Sequence, residues 1–309
     1  MAWHSHRRRI PPKHPSQQPS LILLDQFSSG DIHRWKDLKD KFLKFHWDYY
    51  SNLVYQRSKV ADKINSALFE AAESKFLFKN WQRTLKHKYS TEPLSVEGSL
   101  VDPGGRFNIG DINPSQFPCF PALYVAADKD TSLQELLSQK IDPGRENRAL
   151  DFALANPASI THISLSGSLD SIIDLKKPEK LHSFVDLIKD FSIPEHLKQT
   201  AKMIGLSSLE LIQTVPKLED ALLSPHWREW PIQFDVPVTS QIFGQLVVEA
   251  GIEGILYTSK FSGHDCLAIF PQNFDEDSGS FVQLDDAAPK ETQIHRWDAK
   301  TWNEYQKSK

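Results

Sequence analysis

Apolar residues recur at helical spacing between Asp31 and Glu92, a stretch that contains neither glycine nor proline. They follow one another mostly at steps of three and four: Trp35, Leu38, Phe42, Phe45, Tyr49, Leu53, Ile64, Leu68 and Ala72. This spacing predicts one long or two consecutive helices over about residues 31–78, with Asp31 as a candidate N-cap. Because the apolar stripe is rich in aromatic residues, its default role is packing, and binding of a partner is the alternative.

Beyond Pro93 the chain changes to short apolar runs that are separated by glycine and proline. Residues 122–126 (ALYVA) predict a short buried strand, and residues 132–139 (SLQELLSQ) predict the beginning of a helix. Residues 160–165 (ITHISL) alternate between apolar and polar side chains, which is typical of a half-buried strand. We expect residues 172–175 to continue the same sheet.

The last part of the chain combines helical spacing with a hairpin pattern. Residues 179–223 return to apolar steps of three and four. Residues 254–258 (GILYT) and 266–270 (CLAIF) predict two apolar strands around a polar turn at Gly263. The predicted fold class is therefore α+β, with a helical N-terminal region joined to a domain that contains the sheet.

Composition narrows the class of protein. The 309 residues carry a formal net charge of −4, and 25% of them are charged and 39% hydrophobic. These values exclude a wholly disordered chain and argue against a dedicated nucleic-acid-binding protein. The basic residues 7–13 lie within residues 1–30, a polar segment that we expect to be a mobile tail.

Targeting signals are not recognisable in the sequence. No apolar run approaches the length of a membrane-spanning helix, and prolines follow the arginines at 7–9 where a secretory signal needs an apolar core. The two cysteines, Cys119 and Cys266, form no disulfide framework and are expected to be thiols in a reducing compartment. We therefore expect a cytoplasmic protein without membrane association.

Several common catalytic motifs are absent from the sequence. It contains no HExxH, GxSxG, Walker A loop or dinucleotide-binding GxGxxG. The twelve histidines have no metal-ligand spacing with cysteine or carboxylate, so no metal is expected.

Four short features remain as candidates for chemistry. Arg106 follows Gly104 and Gly105, and its guanidinium suits phosphate or carboxylate oxygen, although such a turn is commonly an ordinary surface loop. Tyr124 lies in the ALYVA strand, where it either stacks on a flat ring or belongs to the core. Glu135 falls in the first turns of a predicted helix, where a glutamate often complements only the helix dipole. Ser259 ends the GILYTS strand, an ordinary place for serine.

Together and in this order, these features resemble the RES-domain family, which is named for its arginine, glutamate and serine. The resemblance rests on Arg83 after Trp81-Gln82, the GGRFN segment, the ALYVA strand, Glu135 and the GILYTS…CLAIF hairpin, and it covers residues 80–275. It implies an ADP-ribosyltransferase-like split β-core with surrounding helices. It also implies a division into the tail, a helical region over residues 31–79, the RES domain, and a C-terminal extension over residues 276–309.

The resemblance implies a function as well. RES domains of this kind consume NAD+ by hydrolysis or phosphorolysis of the nicotinamide–ribose bond, and many are toxins of bacterial toxin–antitoxin pairs. NAD+ is then a consumed substrate rather than a cofactor, and an antitoxin protein is an expected partner. The alternatives are transfer of ADP-ribose to a protein and a non-catalytic interaction module. Because symmetric dimers are the commonest soluble oligomers, a homodimer is the expected oligomeric state.

The residues that match the family's functional positions are Arg83, Arg106, Tyr124, Glu135 and Ser259. In the role that the resemblance implies, Glu135 stabilises the oxocarbenium-like transition state, and the two arginines neutralise the pyrophosphate. Tyr124 is expected to stack on nicotinamide, and Ser259 to hold the ribose or order an arginine.

Overall fold

The computed structural model describes residues 29–137, 160–206, 209 and 211–309. The chain divides into two compact units, one of residues 1–52 with 193–209 and one of residues 53–192 with 210–309. Most of the predicted tail, residues 1–28, lies outside the described residues.

The α-helices of the described part are α1 (Ser29–Ser58), α2 (Ala61–Ala71), α3 (Glu97–Leu100), α4 (Lys129–Leu137), α5 (His182–Ile188), α6 (Glu195–Met203), α7 (Val215–Leu222), α8 (Glu229–Phe234), α9 (Thr239–Glu249) and α10 (Ala299–Ser308). Short 3₁₀ turns occupy His87–Tyr89, Pro178–Leu181 and Pro271–Asn273. None of the helices described is both long and apolar enough to cross a membrane.

The strands are β1 (Glu73–Lys86), β2 (Gly104–Gly105), β3 (Asn108–Ile109), β4 (Leu123–Ala126), β5 (Ile160–Asp174), β6 (Gly254–Thr258), β7 (Asp265–Ile269), β8 (Phe281–Leu284) and β9 (Arg296–Trp297). Seven of them form one sheet in the order β1-β4-β7-β6-β5-β8-β9, and β2 pairs with β3 separately. Because β1 also pairs with β5, strands β1, β4, β7, β6 and β5 form a closed ring.

Two hydrophobic clusters cover the two faces of β4, β6 and β7. Tyr257, Cys266 and Ala268 belong to the cluster that includes residues of α2, α5, α7 and α9. Leu256 and Leu267, which point to the opposite face, belong to the cluster that includes residues of β1, β5, β8 and α10. We call the first side the helix-covered face. The alternation of side chains along each strand thus decides which residues can share a site.

The first compact unit contains most of the aromatic stripe of α1. Phe45 stacks on Tyr49 with ring centroids 5.9 Å apart, and Phe42 lies 5.4 Å from His46. Burial lowers the pKa of His46 to about 4. The stripe therefore includes rings that pack against one another along the helix, as its spacing predicts.

The structure confirms the α+β class and a helical region before the sheet. The ALYVA strand is β4, and the predicted hairpin is β6 and β7 in antiparallel register. The two predicted strand segments after residue 160 are one strand, β5, and the helical spacing over residues 179–223 corresponds to the short helices α5, α6 and α7.

The prediction of helix as far as residue 78 is wrong. Helix α2 ends at Ala71, and β1 begins at Glu73. Phe76, Phe78 and Trp81 then form a ring cluster, with centroid distances between 5.6 and 6.3 Å. Their spacing of two and three residues fits a bulged strand as well as a helix, and the ladder between β1 and β5 shifts register between Phe78 and Trp81.

Residues beyond 275 are integrated with the sheet. Strand β8 pairs with β5 from Leu165 to Ser168, and β9 pairs with β8. The Trp297 ring is fully buried and donates its Nε1–H to the carbonyl of Leu94 at 2.8 Å. The sheet therefore continues past residue 275, while the domain boundaries themselves stay a prediction.

Candidate functional site

The Gly-Gly-Arg segment forms a miniature hairpin of β2 and β3 with Arg106 and Phe107 at its turn. Gly104 has a φ of +94°, and a Cβ there would lie 2.4 Å from the amide nitrogen of Gly110. At Gly105 a Cβ would lie 2.3 Å from the hydroxyl oxygen of Tyr124. Gly104 is therefore required by the close approach of the backbone at Gly110, and Gly105 by the close approach of the Tyr124 side chain.

The hydroxyl of Tyr124 anchors this turn. It donates to Oδ1 of Asn108 at 2.9 Å and accepts from the amide of Phe107 at 2.9 Å. The Asn108 side chain in turn donates to the carbonyls of Ser99 and Phe120. Burial raises the pKa of Tyr124 strongly, so this hydroxyl keeps its proton. The ring's predicted contact with nicotinamide stays a prediction.

A second anchor comes from helix α9. The buried Gln241 points its Nε2 at three carbonyls, those of Pro103, Asn108 and Gly105, at 2.7, 3.1 and 3.2 Å. One helical turn later, a Cβ at Gly244 would lie 1.9 Å from the carbonyl oxygen of Phe107. Helix α9 thus packs directly against the backbone of the arginine turn.

Arg106 is buried, with 3% of its surface exposed. Its Nη1 donates to the carbonyl of Ser224 at 2.7 Å and lies 3.4 Å from that of Leu222. Its guanidinium carbon lies 5.8 Å from the centroid of the Trp227 ring. Within the described part of the chain, the buried Nε of Arg106 has no hydrogen-bond partner.

Glu135 lies on α4 and is half-buried next to the same group. The Glu135 charge contributes, after burial, to the raised pKa values of Tyr257 and Cys266, and it opposes the lowering by burial of the Arg228 pKa. Both Tyr257 and Cys266 point to the helix-covered face. Glu135 is therefore close enough for its charge to act on side chains of that face, among them Tyr124.

Arg228 belongs to the same group and is not among the site residues predicted from the sequence. Its guanidinium carbon lies 5.0 Å from the centroid of the Trp227 ring, the ring that Arg106 also contacts. The signal in the sequence is the pair Trp227-Arg228 before Pro231, which belongs to the stretch that supports the family resemblance but indicates no site role for the arginine.

Ser259 holds the turn between β6 and β7. Its Oγ accepts hydrogen bonds from the amides of Phe261 and Ser262 at 3.1 and 3.3 Å. Its own amide donates to the carbonyl of His264. The structure thus gives the Ser259 side chain a place within the turn, and its predicted contact with ribose stays a prediction.

This turn is joined to the first turn of α4, the helix that carries Glu135. Asp128 caps α4 through the amide of Thr131 at 2.8 Å, and its other oxygen lies 2.6 Å from Nδ1 of His264. The hydroxyl of Thr131 lies 2.9 Å from Oγ of Ser262. Hydrogen bonds therefore fix the β6–β7 turn to the helix of the candidate catalytic carboxylate.

Arg83 is not brought to this group. Gln82 pairs with Ala126 of β4, so strand alternation directs Arg83 to the face opposite Tyr124. Its Nη2 donates to the carbonyl of Ser95 at 2.8 Å, and burial lowers the pKa of Arg83 to about 10. The structure therefore places four of the five predicted residues on one side of the sheet or its hairpin end, and Arg83 on the other.

The described residues contain no group of three or more histidine, cysteine or acidic side chains arranged to hold a metal ion.

Comparison with known proteins gives a family and one structural neighbour. The family model described as RES domain matches residues 80–292. A chain of the crystal structure of the M. tuberculosis MbcT-MbcA toxin-antitoxin complex is similar, with 16% sequence identity and a TM-score of 0.39, over 74% of this chain and 93% of that chain. The sequence matches no curated protein.

Proposed function

The chain belongs to the RES domain family, and from that membership we propose that it is an NAD+-consuming enzyme that cleaves the bond between nicotinamide and ribose. Water or phosphate would take the ADP-ribose, which makes the enzyme a glycohydrolase or a phosphorylase. Destruction of NAD+ inhibits growth, so the proposed biological role is that of a bacterial toxin, with an antitoxin protein as partner.

The observation that supports this proposal is the position of Glu135. Its charge acts on the half-buried guanidinium of Arg228, which lies against the Trp227 ring together with the buried guanidinium of Arg106. A carboxylate next to two cations suits a substrate that carries phosphates and develops positive charge on an adjoining sugar.

In the proposed reaction the carbon–nitrogen bond between ribose and nicotinamide breaks. Its electron pair passes to the pyridine nitrogen and neutralises nicotinamide, while the ribose becomes an oxocarbenium-like cation. Glu135 stabilises this cation by its negative charge. The oxygen of water or phosphate then forms the new bond to the ribose carbon, and in hydrolysis the water's proton leaves to solvent.

The protein's other groups position the substrate rather than react. Arg106 is held by the carbonyls of Ser224 and Leu222, so the direction of its guanidinium is fixed before substrate binds. Such preorganisation reduces the free energy needed to orient charges during the reaction.

Loss of NAD+ over time, with product identification, tests the proposal. We expect wild-type protein to release nicotinamide and to form ADP-ribose in water, or ADP-ribose-1″-phosphate when phosphate is supplied. Glu135→Gln removes the charge at nearly constant shape and should lower the rate by about 10²–10³-fold. The matched control is Glu70→Gln, which changes an exposed glutamate of α2.

Two results would contradict the proposal. Equal rates for wild type and Glu135→Gln would remove Glu135 from the reaction, and no NAD+ loss with or without phosphate would overturn the activity. ADP-ribose found by mass spectrometry on a co-incubated protein would instead indicate a protein ADP-ribosyltransferase.

A further inference from the structure

Two arginines from distant parts of the chain contact one buried ring. The guanidinium carbons of Arg106 and Arg228 lie 5.8 and 5.0 Å from the centroid of Trp227, whose exposed fraction is 5%. A guanidinium over an indole face is attracted by the ring's quadrupole and is held in a defined plane. The ring therefore fixes the orientation of both cationic groups.

These two cations are close enough to affect each other. Burial lowers the pKa of Arg228, the charge of Glu135 opposes this lowering, and the charge of Arg106 adds a smaller lowering. The like charges of Arg106 and Arg228 repel each other. Binding of an anion with more than one negative charge would relieve this repulsion.

Arg106 also has donor capacity that the fold does not use. Its Nη1 is engaged by backbone carbonyls, while its buried Nε finds no partner among the described residues. Guanidinium groups bind phosphate through pairs of parallel N–H donors. The remaining donor edge of Arg106 is thus suited to a phosphate oxygen.

We propose that Arg228, together with Arg106, binds the diphosphate of a dinucleotide substrate, and that Arg83 does not take part in this binding. The inference rests on the proposed function for the identity of the substrate, and on the contacts with Trp227 for the residues. Arg83 instead fixes the carbonyl of Ser95 on the other face of the sheet.

Calorimetric titration with ADP-ribose and with inorganic pyrophosphate tests this assignment without requiring turnover. Arg228→Gln should weaken binding of both probes by about 10- to 100-fold, since a charged hydrogen-bond donor is lost. Arg228→Lys keeps the charge but not the paired donors and should weaken binding less. Adenosine lacks the diphosphate, and its affinity should be the same in all variants.

Two arginine variants separate the diphosphate site from general effects. Arg296→Gln changes an arginine that also packs on an aromatic ring, 3.9 Å from the centroid of Phe281, but on β9. Arg83→Gln tests the assignment that the family resemblance implies. We expect both to bind ADP-ribose as wild type does, with Arg83→Gln less stable to heat. Melting curves of Arg228→Gln and Arg228→Lys confirm that loss of affinity is not loss of fold.

The outcomes distinguish the two proposals. Wild-type affinity in Arg228→Gln, a loss as large in Arg83→Gln, or no binding of either probe by wild-type protein would overturn the assignment of Arg228. If NAD+ is consumed in any of these cases, the proposed function stands. If the affinity loss is found but NAD+ is never consumed, the diphosphate site stands and the proposed activity fails.

Discussion

One buried amide, the side chain of Gln241, connects helix α9 to the segment that carries Arg106. Its two N–H donors serve three carbonyl oxygens, those of Pro103, Gly105 and Asn108. The site therefore depends on a residue that contacts none of the candidate catalytic groups. Its effect on the reaction is exerted through the backbone of the arginine turn.

Gln241→Met keeps the length of the side chain but removes these donors. We expect the free energy of unfolding to fall by about 1–3 kcal/mol, because buried carbonyls lose their partners. NAD+ consumption should also fall, because the turn is no longer fixed. The matched control is Gln245→Met, one helical turn away, whose amide donates to the carboxylate of Glu249 at the surface. Equal effects of both substitutions on unfolding would contradict the role of Gln241.

The sequence predicts which kinds of residue belong to the site better than it predicts where the fold places their side chains. Short motifs predict Arg106, Tyr124 and Glu135. The structure joins the Arg106 turn to the Tyr124 hydroxyl and places Glu135 near enough for its charge to act on Tyr124. The side of the sheet to which Arg83 points could not be predicted from the sequence, because it depends on the pairing of Gln82 with Ala126, and a shift of one residue would reverse it. Arg228 follows Trp227 in the sequence, and only the fold brings this pair to Arg106.

Among the elements, α4 is the one on which the proposed chemistry depends most. Asp128 caps its first turn, and the hydrogen bonds of Asp128 and Thr131 attach that turn to the β6–β7 connection. A helix held at its N-terminus by both a cap and a neighbouring turn has little freedom to shift. Glu135 is one helical turn beyond Thr131, so the same contacts limit its movement.

Asp128→Ala should therefore affect both stability and rate. Loss of the cap alone costs about 0.5–2 kcal/mol of stability, and release of α4 should lower NAD+ consumption further than the stability loss explains. The matched control is Asp298→Ala, which removes the equivalent cap of α10, where Asp298 accepts from the amide of Thr301 at 2.9 Å. An equal loss of rate in the control would show that the effect is general.

Elements with strong local signals were predicted correctly, and β1 was not. The β6–β7 hairpin has apolar runs on both sides of a glycine turn, which specifies it within about fifteen residues. Strand β1 instead takes its form from β5, its partner along nearly its whole length, from Glu73 with Ile172 to Lys86 with Ile160. Such long-range pairing is not visible in the local pattern, where Phe76 and Phe78 continue a helical stripe.

For the molecule as a whole, the C-terminal residues are part of the sheet. Deletion of residues 276–309 removes β8 from the edge of β5 and takes Val282, Trp297 and Trp302 out of a buried cluster. We expect the shortened chain to lose cooperative unfolding in thermal melts, since burial of large aromatic side chains contributes several kcal/mol each. A chain that ends at Tyr305 loses only exposed residues and should melt as wild type does. Cooperative melting of the chain 1–275 would show that the extension is dispensable.

The order of the segments along the chain has a consequence for the moment at which activity begins. During synthesis Arg106, Tyr124 and Glu135 leave the ribosome before Gln241 and Ser262, the residues that hold their segments in place. Strand β8, the edge partner of β5, follows later still. A nascent chain therefore carries the candidate catalytic groups without the contacts that assemble them. In the proposed function, only completed protein molecules consume the NAD+ of the cell that makes them, and nascent chains do not.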